Sequence, residues 1–270
     1  MNAFAQHFAY EFKTGLRNPS LLLINYLFPL GFYAMMGLIM TAINPLFTAF
    51  MVPALVIFAI IASTVLGMPS PLVEAREAGV FRSYEINGVP AASILAIPGL
   101  TTGFHALISG AIIALTAPVL FGGDAPVHVG AFVGITLLTA FTCASMGMLI
   151  SVISDDSRAT ILWSQLLFLP SMLIGGLMVP LDTLPERVLS FSALLPASHA
   201  MELFTGWAYG RPTVFNLPAS AAILASSGVL ALVLSIVLFN WDTRNQSRRG
   251  HPLLALLVIV PYAVGALLAI

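Results

Sequence analysis

Charged residues are scarce in this sequence. They make up 8% of its 270 residues, whereas soluble globular domains carry about 25%. Hydrophobic residues make up 59%, so the polar side chains are too few to cover a soluble globule of this length. The formal net charge of -1 excludes the clustered positive face of a nucleic-acid-binding protein. These shortages define an integral membrane protein for which we expect no nucleic-acid partner.

Residue types that many enzymes need are also in short supply. The only lysine of the sequence is Lys13, which follows Phe12, so there is no G-x-x-x-x-G-K-[ST] phosphate-binding loop. The chain therefore cannot hydrolyse ATP by that route, and we expect it to be neither an enzyme nor the holder of a cofactor or metal. The single cysteine, Cys143, cannot form a disulfide within the chain. The five histidines are scattered and form no H-E-x-x-H motif.

Long apolar runs fill most of the chain. A helix needs about 20 residues to cross the hydrocarbon core of a bilayer. Candidate spans are about 21–43, 46–68, 92–121, 129–153, 160–181 and 220–240. The sequence therefore predicts an all-α fold, a polytopic membrane helix bundle that forms a single transmembrane domain. Residues 252–270 add a run of 19 residues without charge, which we predict to be a seventh span ending outside. The alternatives are a re-entrant and a surface-lying segment.

The N-terminal residues 1–19 predict a helix that lies at the membrane surface. Phe4, Phe8, Phe12 and Leu16 recur at steps of four, which lines one helical face with large apolar side chains. We therefore expect this segment to contact membrane lipid.

The cations indicate the orientation of the chain. With a cytoplasmic N-terminus, eight of the ten cations lie inside, in agreement with the positive-inside bias. We therefore predict a multi-pass plasma-membrane protein with its N-terminus in the cytoplasm. The cations on the inner side are Lys13, Arg17, Arg76, Arg82, Arg158, Arg244, Arg248 and Arg249, and those outside are Arg187 and Arg211.

The loop at 71–90, "PLVEAREAGVFRSYEINGVP", holds the densest run of charge. Ser70-Pro71 predicts a helix start and Asn87-Gly88, before Pro90, predicts its end, so we expect one helix over 71–86. Its apolar and charged residues fall on different sides. Periodicity alone leaves two interpretations open: a docking helix for a soluble partner, or a solvated loop whose arginines only anchor the topology.

Two segments resemble a known family. The run Glu74-Ala-Arg76-Glu77-Ala-Gly79-Val-Phe-Arg82, with Pro90 eight residues further on, resembles the charged cytoplasmic segment of ABC-2 type transporter permeases. The downstream run "LPSMLIGGLMVPLDTLPERVLSFSALLPASHAMELF" resembles the fifth span and outer loop of that family. The resemblance covers about residues 1–245, and this family usually ends after six spans, so the run at 252–270 departs from it.

The resemblance implies the transmembrane subunit of an ATP-driven exporter. Such a subunit pairs with a second permease copy, identical or related, and with separate ATPase subunits that carry ATP and Mg. In this family the loop between spans two and three carries the coupling helix that contacts the ATPase. The residues this assigns to coupling here are Glu74, Arg76, Glu77, Gly79, Arg82 and Glu85.

Three further groups of charged or ionisable residues are candidates for function. Asp155, Asp156 and Arg158 fit a polar turn that caps a helix or touches the ATPase better than they fit a metal site. His105, within a predicted span, fits a neutral side chain bonded to a neighbouring helix better than a proton relay. The loop at 182–219 is too apolar to be freely solvated, so we expect re-entrant or interfacial helices outside the membrane. There, Asp182, Glu186 and Glu202 are candidates for the rim of an exit path, although capping or solvation explains each of them too.

Two other function classes compete with the exporter. A secondary transporter normally places ion-coupling carboxylates in its spans, and the predicted spans hold none. A membrane enzyme or a non-transporting scaffold is the third class. Apolar walls rich in Met and Phe suit lipids, drugs, peptides or other amphiphiles as cargo, so composition does not select one substrate.

Overall fold

The computed structural model describes residues 3–241 and 250–268, and all regular structure in these ranges is helical. In chain order the helices are α1 (Ala3–Arg17), α2 (Pro19–Ile43), α3 (Phe47–Glu77), α4 (Val80–Ile86), α5 (Ala91–Phe121), α6 (Val129–Ile153), α7 (Ser157–Ile174), α8 (Glu186–Ser192), α9 (Pro196–Leu203), α10 (Leu217–Leu238) and α11 (Pro252–Leu267). In the described ranges, five of them, α2, α3, α5, α6 and α10, are long and apolar enough to cross a membrane. The predicted all-α polytopic bundle is confirmed. Arg244, Arg248 and Arg249 lie outside the described residues.

Helix α3 forms the centre of the bundle. Every residue from Met51 to Val65 is buried, because α2, α5 and α6 all pack against this helix. The approach of α6 requires a glycine, since a Cβ at Gly147 would lie 2.1 Å from the carbonyl oxygen of Thr64. Outer helices such as α5 expose apolar side chains, including Val119 at 83% exposure. The exposed apolar surface is what a bundle surrounded by hydrocarbon presents.

Helix α3 continues beyond the end of the second predicted span. It continues from Phe47 to Glu77, so the predicted helix start at Ser70-Pro71 is wrong. A π turn at Ala62–Gly67 precedes Pro69, and Met68 keeps helical dihedrals. The wider turn accommodates a proline ring and its missing N–H within a continuous helix. The second span and the first part of the charged loop, up to Glu77, are therefore one rod of 31 residues, about 46 Å long.

The predicted span at 160–181 ends too late, and α7, which covers it, is not among the five helices that are long and apolar enough to cross a membrane. Helix α7 ends at Ile174, and Gly176 follows with a φ of 87°. Only glycine adopts this left-handed conformation readily. Gly175 fits closely as well, because a Cβ there would lie 2.9 Å from the Cβ of Ala197.

Helix α1 lies across α5. The ring of Phe12 stacks on His105, with centroids 4.5 Å apart, and a Cβ at Gly15 would lie 2.5 Å from His105 Nε2. His105 Nδ1 is 2.7 Å from the hydroxyl of Tyr26 in α2. His105 is therefore hydrogen-bonded to a neighbouring helix. The side chain of Phe4 lies outside the described part of the chain.

The C-terminal helix α11 runs antiparallel to α10. Gly250 lies beside Leu238 at one end, and Gly265 lies beside Ile223 at the other. Between them, the hydroxyls of Tyr262 and Ser227 are 2.8 Å apart and buried. The segment begins as a 3-10 helix over Pro252–Ile259 and continues as an α-helix.

Candidate functional site

A helical hairpin at one end of the bundle carries most of the predicted coupling residues. Helix α3 ends at Glu77, Gly79 has a φ of 76°, and α4 then runs from Val80 to Ile86. A Cβ at Gly79 would meet nothing within 4 Å, so the left-handed backbone rather than a close contact within this chain requires glycine. The predicted helix end at Asn87-Gly88 is confirmed, since Gly88 also has a positive φ. The single helix predicted over 71–86 is wrong, because the left-handed Gly79 divides it between α3 and α4.

The buried side of α4 attaches this hairpin to the bundle. Phe81 is 5% exposed, and its ring centroid lies 5.7 Å from that of Phe239. The opposite side is exposed and mixes acidic, basic and apolar groups; we call it the hairpin face. It comprises Glu74, Glu77, Gly79, Val80, Arg82, Glu85 and Ile86.

Arg76 differs from the other predicted coupling residues because its side chain is buried, at 6% exposure. Its Nη1 donates to the carbonyl oxygens of Ser151 at 3.2 Å and Val152 at 3.4 Å, and its Nη2 donates to that of Ser154. These carbonyls belong to the last turn and C-cap of α6, the negative end of the helix dipole. The expectation that Arg76 offers its charge to a partner does not match this position, because the guanidinium faces inward.

The second predicted loop adjoins the hairpin through Ser154. Asp155, Asp156 and Arg158 are exposed, and Asp156 caps α7 by accepting a 2.8 Å hydrogen bond from the amide of Ala159. The capping interpretation of this acidic pair is thus confirmed for Asp156. No cluster of metal-ligating side chains occurs in the part of the chain that the structure describes. The hairpin face and this loop lie at the same end of the bundle.

The residues expected at an exit rim separate into two environments. Asp182 and Glu186 are exposed, but Glu202 is 4% exposed and so does not stand on a rim. Its Oε2 accepts hydrogen bonds from the amides of Val214 at 2.5 Å and Phe215 at 2.8 Å. Burial raises the pKa of Glu202 above its ordinary value, although these two amides oppose the shift. Glu202 therefore holds the irregular segment before α10 against α9.

One charged network was not predicted from the sequence. Arg211 forms an ion pair with Asp124 and donates to the carbonyl oxygen of Ala49. The Asp124 amide donates to the Thr48 carbonyl oxygen at 3.1 Å, and the Tyr209 hydroxyl donates to the Asp124 carbonyl oxygen at 3.2 Å. These bonds join the first turn of α3 to the segment before α6 and the segment before α10, at the end of the bundle opposite α4. The sequence does not indicate this network, because Tyr209 and Arg211 lie 85 and 87 positions after Asp124.

These features define a class: a polytopic helical membrane protein in which the most buried span extends beyond the bundle into a charged hairpin. The chain belongs to the ABC-2 type transporter family, whose profile matches residues 2–209. The family resemblance drawn from the two sequence segments is confirmed.

Two curated relatives have the same printed name. "Nodulation protein J" of Rhizobium leguminosarum bv. viciae is 28% identical over 112 residues, which cover 42% of this chain and 40% of the relative. "Nodulation protein J" of Sinorhizobium fredii is 27% identical over 92 residues, 34% of this chain and 33% of that protein. The chain thus spans two fifths or less of the length of the curated relatives it matches. No solved structure matches it significantly.

Proposed function

We propose that this chain is the membrane-spanning permease subunit of an ATP-binding-cassette exporter, driven by separate ATPase subunits that bind ATP and Mg. Membership of the ABC-2 type transporter family supports a membrane permease. The composition of the hairpin face is the observation that supports coupling to an ATPase. It combines exposed charges of both signs with exposed apolar side chains, Val80 at 40% and Ile86 at 80% exposure, at the end of the central helix. Such a mixture suits a polar, partly apolar protein interface.

In addition to the packing of Phe81 on Phe239, the hairpin is joined to the bundle in two places. Because α3 is one helix from Phe47 to Glu77, a displacement of the hairpin by an ATPase would tilt or shift the most buried span. Arg76 adds a second connection, since its guanidinium holds the last carbonyls of α6. In this proposal Arg76 is a positioning residue: it transmits the movement of the hairpin to α6 and does not contact the ATPase.

The orientation proposed here places the hairpin in the cytoplasm of the cell. Most of the described cations belong to segments at the α4 end: Lys13, Arg17, Arg76, Arg82 and Arg158. Arg187 and Arg211 belong to segments at the other end. This distribution supports a cytoplasmic N-terminus in the plasma membrane.

We also propose that two permease copies enclose the translocation path. Helix α7 supports this because one side of it is little covered within the chain, with Leu162 at 72%, Leu166 at 63% and Leu173 at 64% exposure. A second copy or membrane lipid would cover these side chains. Cysteines placed at Leu166 would form disulfides between copies if α7 lies in the dimer interface, whereas cysteines at Leu115, exposed on α5, serve as the control.

Copurification tests the ATPase coupling directly. The tagged chain, extracted from its native membrane in mild detergent, should retain a nucleotide-binding protein that mass spectrometry identifies, and the complex should hydrolyse ATP. The chain purified alone should have no ATPase activity, because its sequence lacks a phosphate-binding loop. Nucleotide turnover by the isolated chain, with contaminating ATPases excluded, contradicts the proposal.

A further inference from the structure

The cations of α1 lie on the side of the helix that faces away from the bundle. Phe12 and Gly15 contact His105 of α5, so they mark the side of α1 that meets the bundle. At about 100° per residue, Lys13 and Arg17 fall on the far side of the helix, and both are exposed. Neither side chain has an ion-pair or hydrogen-bond partner in the part of the chain that the structure describes.

These two cations border an open cleft where α1 meets α2. Its volume of about 470 Å³ lies in the usual range of about 300–1,000 Å³ for small-ligand sites. Asn18 separates the two helices, and its Oδ1 accepts a 2.9 Å hydrogen bond from the amide of Ser20, so its Nδ2 remains a donor. The residues that line the cleft are Tyr10, Lys13, Thr14, Arg17, Asn18 and Pro19.

The chemistry of the cleft suits an anion. Lys13 and Arg17 are charged groups that can only donate hydrogen bonds, and none of the lining residues is acidic. Glu11, the one acidic residue of α1, lines a separate cavity together with Tyr84 of the hairpin. The positive charge of the cleft is therefore not neutralised from within α1.

The cleft lies at the level of the lipid headgroups. Helix α2 begins at Pro19 and has 25 residues through Ile43, so it is about 38 Å long and exceeds the hydrocarbon core of about 30 Å. Its first turn, which borders the cleft, therefore reaches the headgroup region. A positively charged cleft at this depth is next to the phosphates of the bilayer.

Apolar side chains next to the cleft distinguish a lipid from a soluble anion. Leu23 lies four residues after Pro19, on the same side of α2, and is 52% exposed. Leu16, next to the cations on α1, is 44% exposed. A soluble anion would use the charges of the cleft but leave both leucines uncovered, whereas a phospholipid brings its acyl chains to them.

We propose that this cleft binds the headgroup phosphate of an anionic phospholipid, with Lys13 and Arg17 as its charge partners and the acyl chains alongside Leu16 and Leu23. In the orientation proposed above, the cleft faces the cytoplasmic leaflet, which carries anionic lipids. The bound lipid would hold the angle between α1 and α2. The site does not depend on ATPase coupling, because it needs only α1, the start of α2 and the bilayer.

The first test measures which lipid the protein retains. The protein, with any copurifying partner, is reconstituted into vesicles of equal parts phosphatidylcholine and phosphatidylglycerol, re-extracted in mild detergent and weighed by native mass spectrometry. We expect the wild type to retain phosphatidylglycerol in preference. Lys13→Gln and Arg17→Gln should each lower the ratio of retained phosphatidylglycerol to phosphatidylcholine about fivefold, the contribution of one cation near an anionic surface.

Two variants control for charge and for side-chain replacement. Arg158→Gln also removes one exposed cation at the same end of the bundle, but outside the cleft, and should retain the wild-type ratio. Lys13→Arg keeps the charge and should retain it too. Absence of a preference in the wild type would overturn the proposal. An equal loss in Arg158→Gln would show that net charge alone decides lipid retention, and would also overturn the site.

The second test separates the lipid from other anionic partners. Sodium phosphate should displace no more phosphatidylglycerol than sodium chloride of the same ionic strength, because the acyl chains contribute to binding. Specific displacement by inorganic phosphate would assign the cleft to a soluble anion and overturn the lipid site. If Lys13→Gln keeps the wild-type lipid ratio but loses a copurifying ATPase, the cations bind protein, which would overturn the lipid site while leaving ATPase coupling intact.

Discussion

Arg76 offers the sharpest test of how the hairpin is connected to the bundle. Replacing it with methionine keeps most of the side-chain volume but removes the donors to Ser151, Val152 and Ser154. The two Nη1 contacts, at 3.2 and 3.4 Å, are long and count as one good bond. Together with the Nη2 bond this amounts to two charge-assisted bonds of about 1.5–3 kcal/mol each.

The net loss is smaller than the sum of these bonds. Methionine no longer buries a charge, and this relief offsets several kcal/mol of the loss. We therefore expect Arg76→Met to lower the free energy of unfolding by about 2 kcal/mol, which thermal unfolding in detergent would detect as a lower midpoint. Arg158→Met, which removes an exposed arginine at the same end, should be nearly neutral and serves as the control.

The effect on coupling should differ from the effect on assembly. Arg76→Met should still copurify with the ATPase, because its side chain is buried, but ATP should no longer change the opposite end of the bundle. Labelling of a cysteine at Val127, 68% exposed at that end, reports this change with and without ATP. If Arg76→Met reduces ATPase copurification as much as Arg82→Glu does, then Arg76 contacts the ATPase and the positioning role is refuted.

Two other predictions concern the hairpin face and the opposite end. Gly79→Trp should abolish ATPase copurification while the amount of protein in the membrane stays normal, because a φ of 76° disfavours tryptophan and the added ring would stand on the hairpin face. Arg82→Glu should weaken copurification by reversing an interface charge. Normal association of the ATPase in both variants would restore the topology-anchor interpretation. Glu202 has a raised pKa from burial, so its contribution to stability is complete below the ordinary value of 4.5 and is lost as pH rises through the raised value. The thermal unfolding midpoint of the wild type should therefore fall as pH rises above about 4.5. Glu202→Gln should flatten this fall, whereas Glu186→Gln, at an exposed position, should leave it unchanged. Parallel midpoint-against-pH curves for the wild type and Glu202→Gln would contradict this role of Glu202.

Features set by composition and length were predictable from the sequence. Apolar runs identified all five membrane-length helices of the described ranges, and the Asn87-Gly88 pair identified the end of α4. The prediction failed beyond Ile174 because the left-handed Gly176 follows the end of α7. The failure at Ser70-Pro71 has a different cause. Whether a proline ends a helix depends on the turn that precedes it, and the π turn at Ala62–Gly67 has no clear sequence signal.

The environment of individual polar residues was not predictable. Glu74 and Arg76 are two positions apart in one charged run, yet Glu74 is exposed and Arg76 is buried against α6. Glu202 is likewise buried, within the short helix α9. Which side of a helix meets a neighbour is decided by tertiary packing, so a single sequence indicates the charged hairpin but not the inward role of one of its arginines.

Whether the C-terminal segment is long enough to cross the bilayer depends on its local helix geometry. As a pure α-helix, the 16 residues of Pro252–Leu267 would span only about 24 Å, short of the core of about 30 Å. The 8 residues of 3-10 helix rise by about 2.0 Å each, so the segment through Leu268 reaches about 29 Å.

Its partners lie along the same path. The segment follows α10 from Leu238 to Ile223, and Ala266 packs beside Leu181 and Phe215 in the cluster at the end opposite α4. We therefore predict that residues 252–270 cross the membrane as a seventh span and end outside. A tag fused after Ile270 should be labelled in intact cells, whereas an N-terminal tag should require permeabilisation. Labelling of the C-terminal tag only after permeabilisation would show that the antiparallel path along α10 does not cross the bilayer.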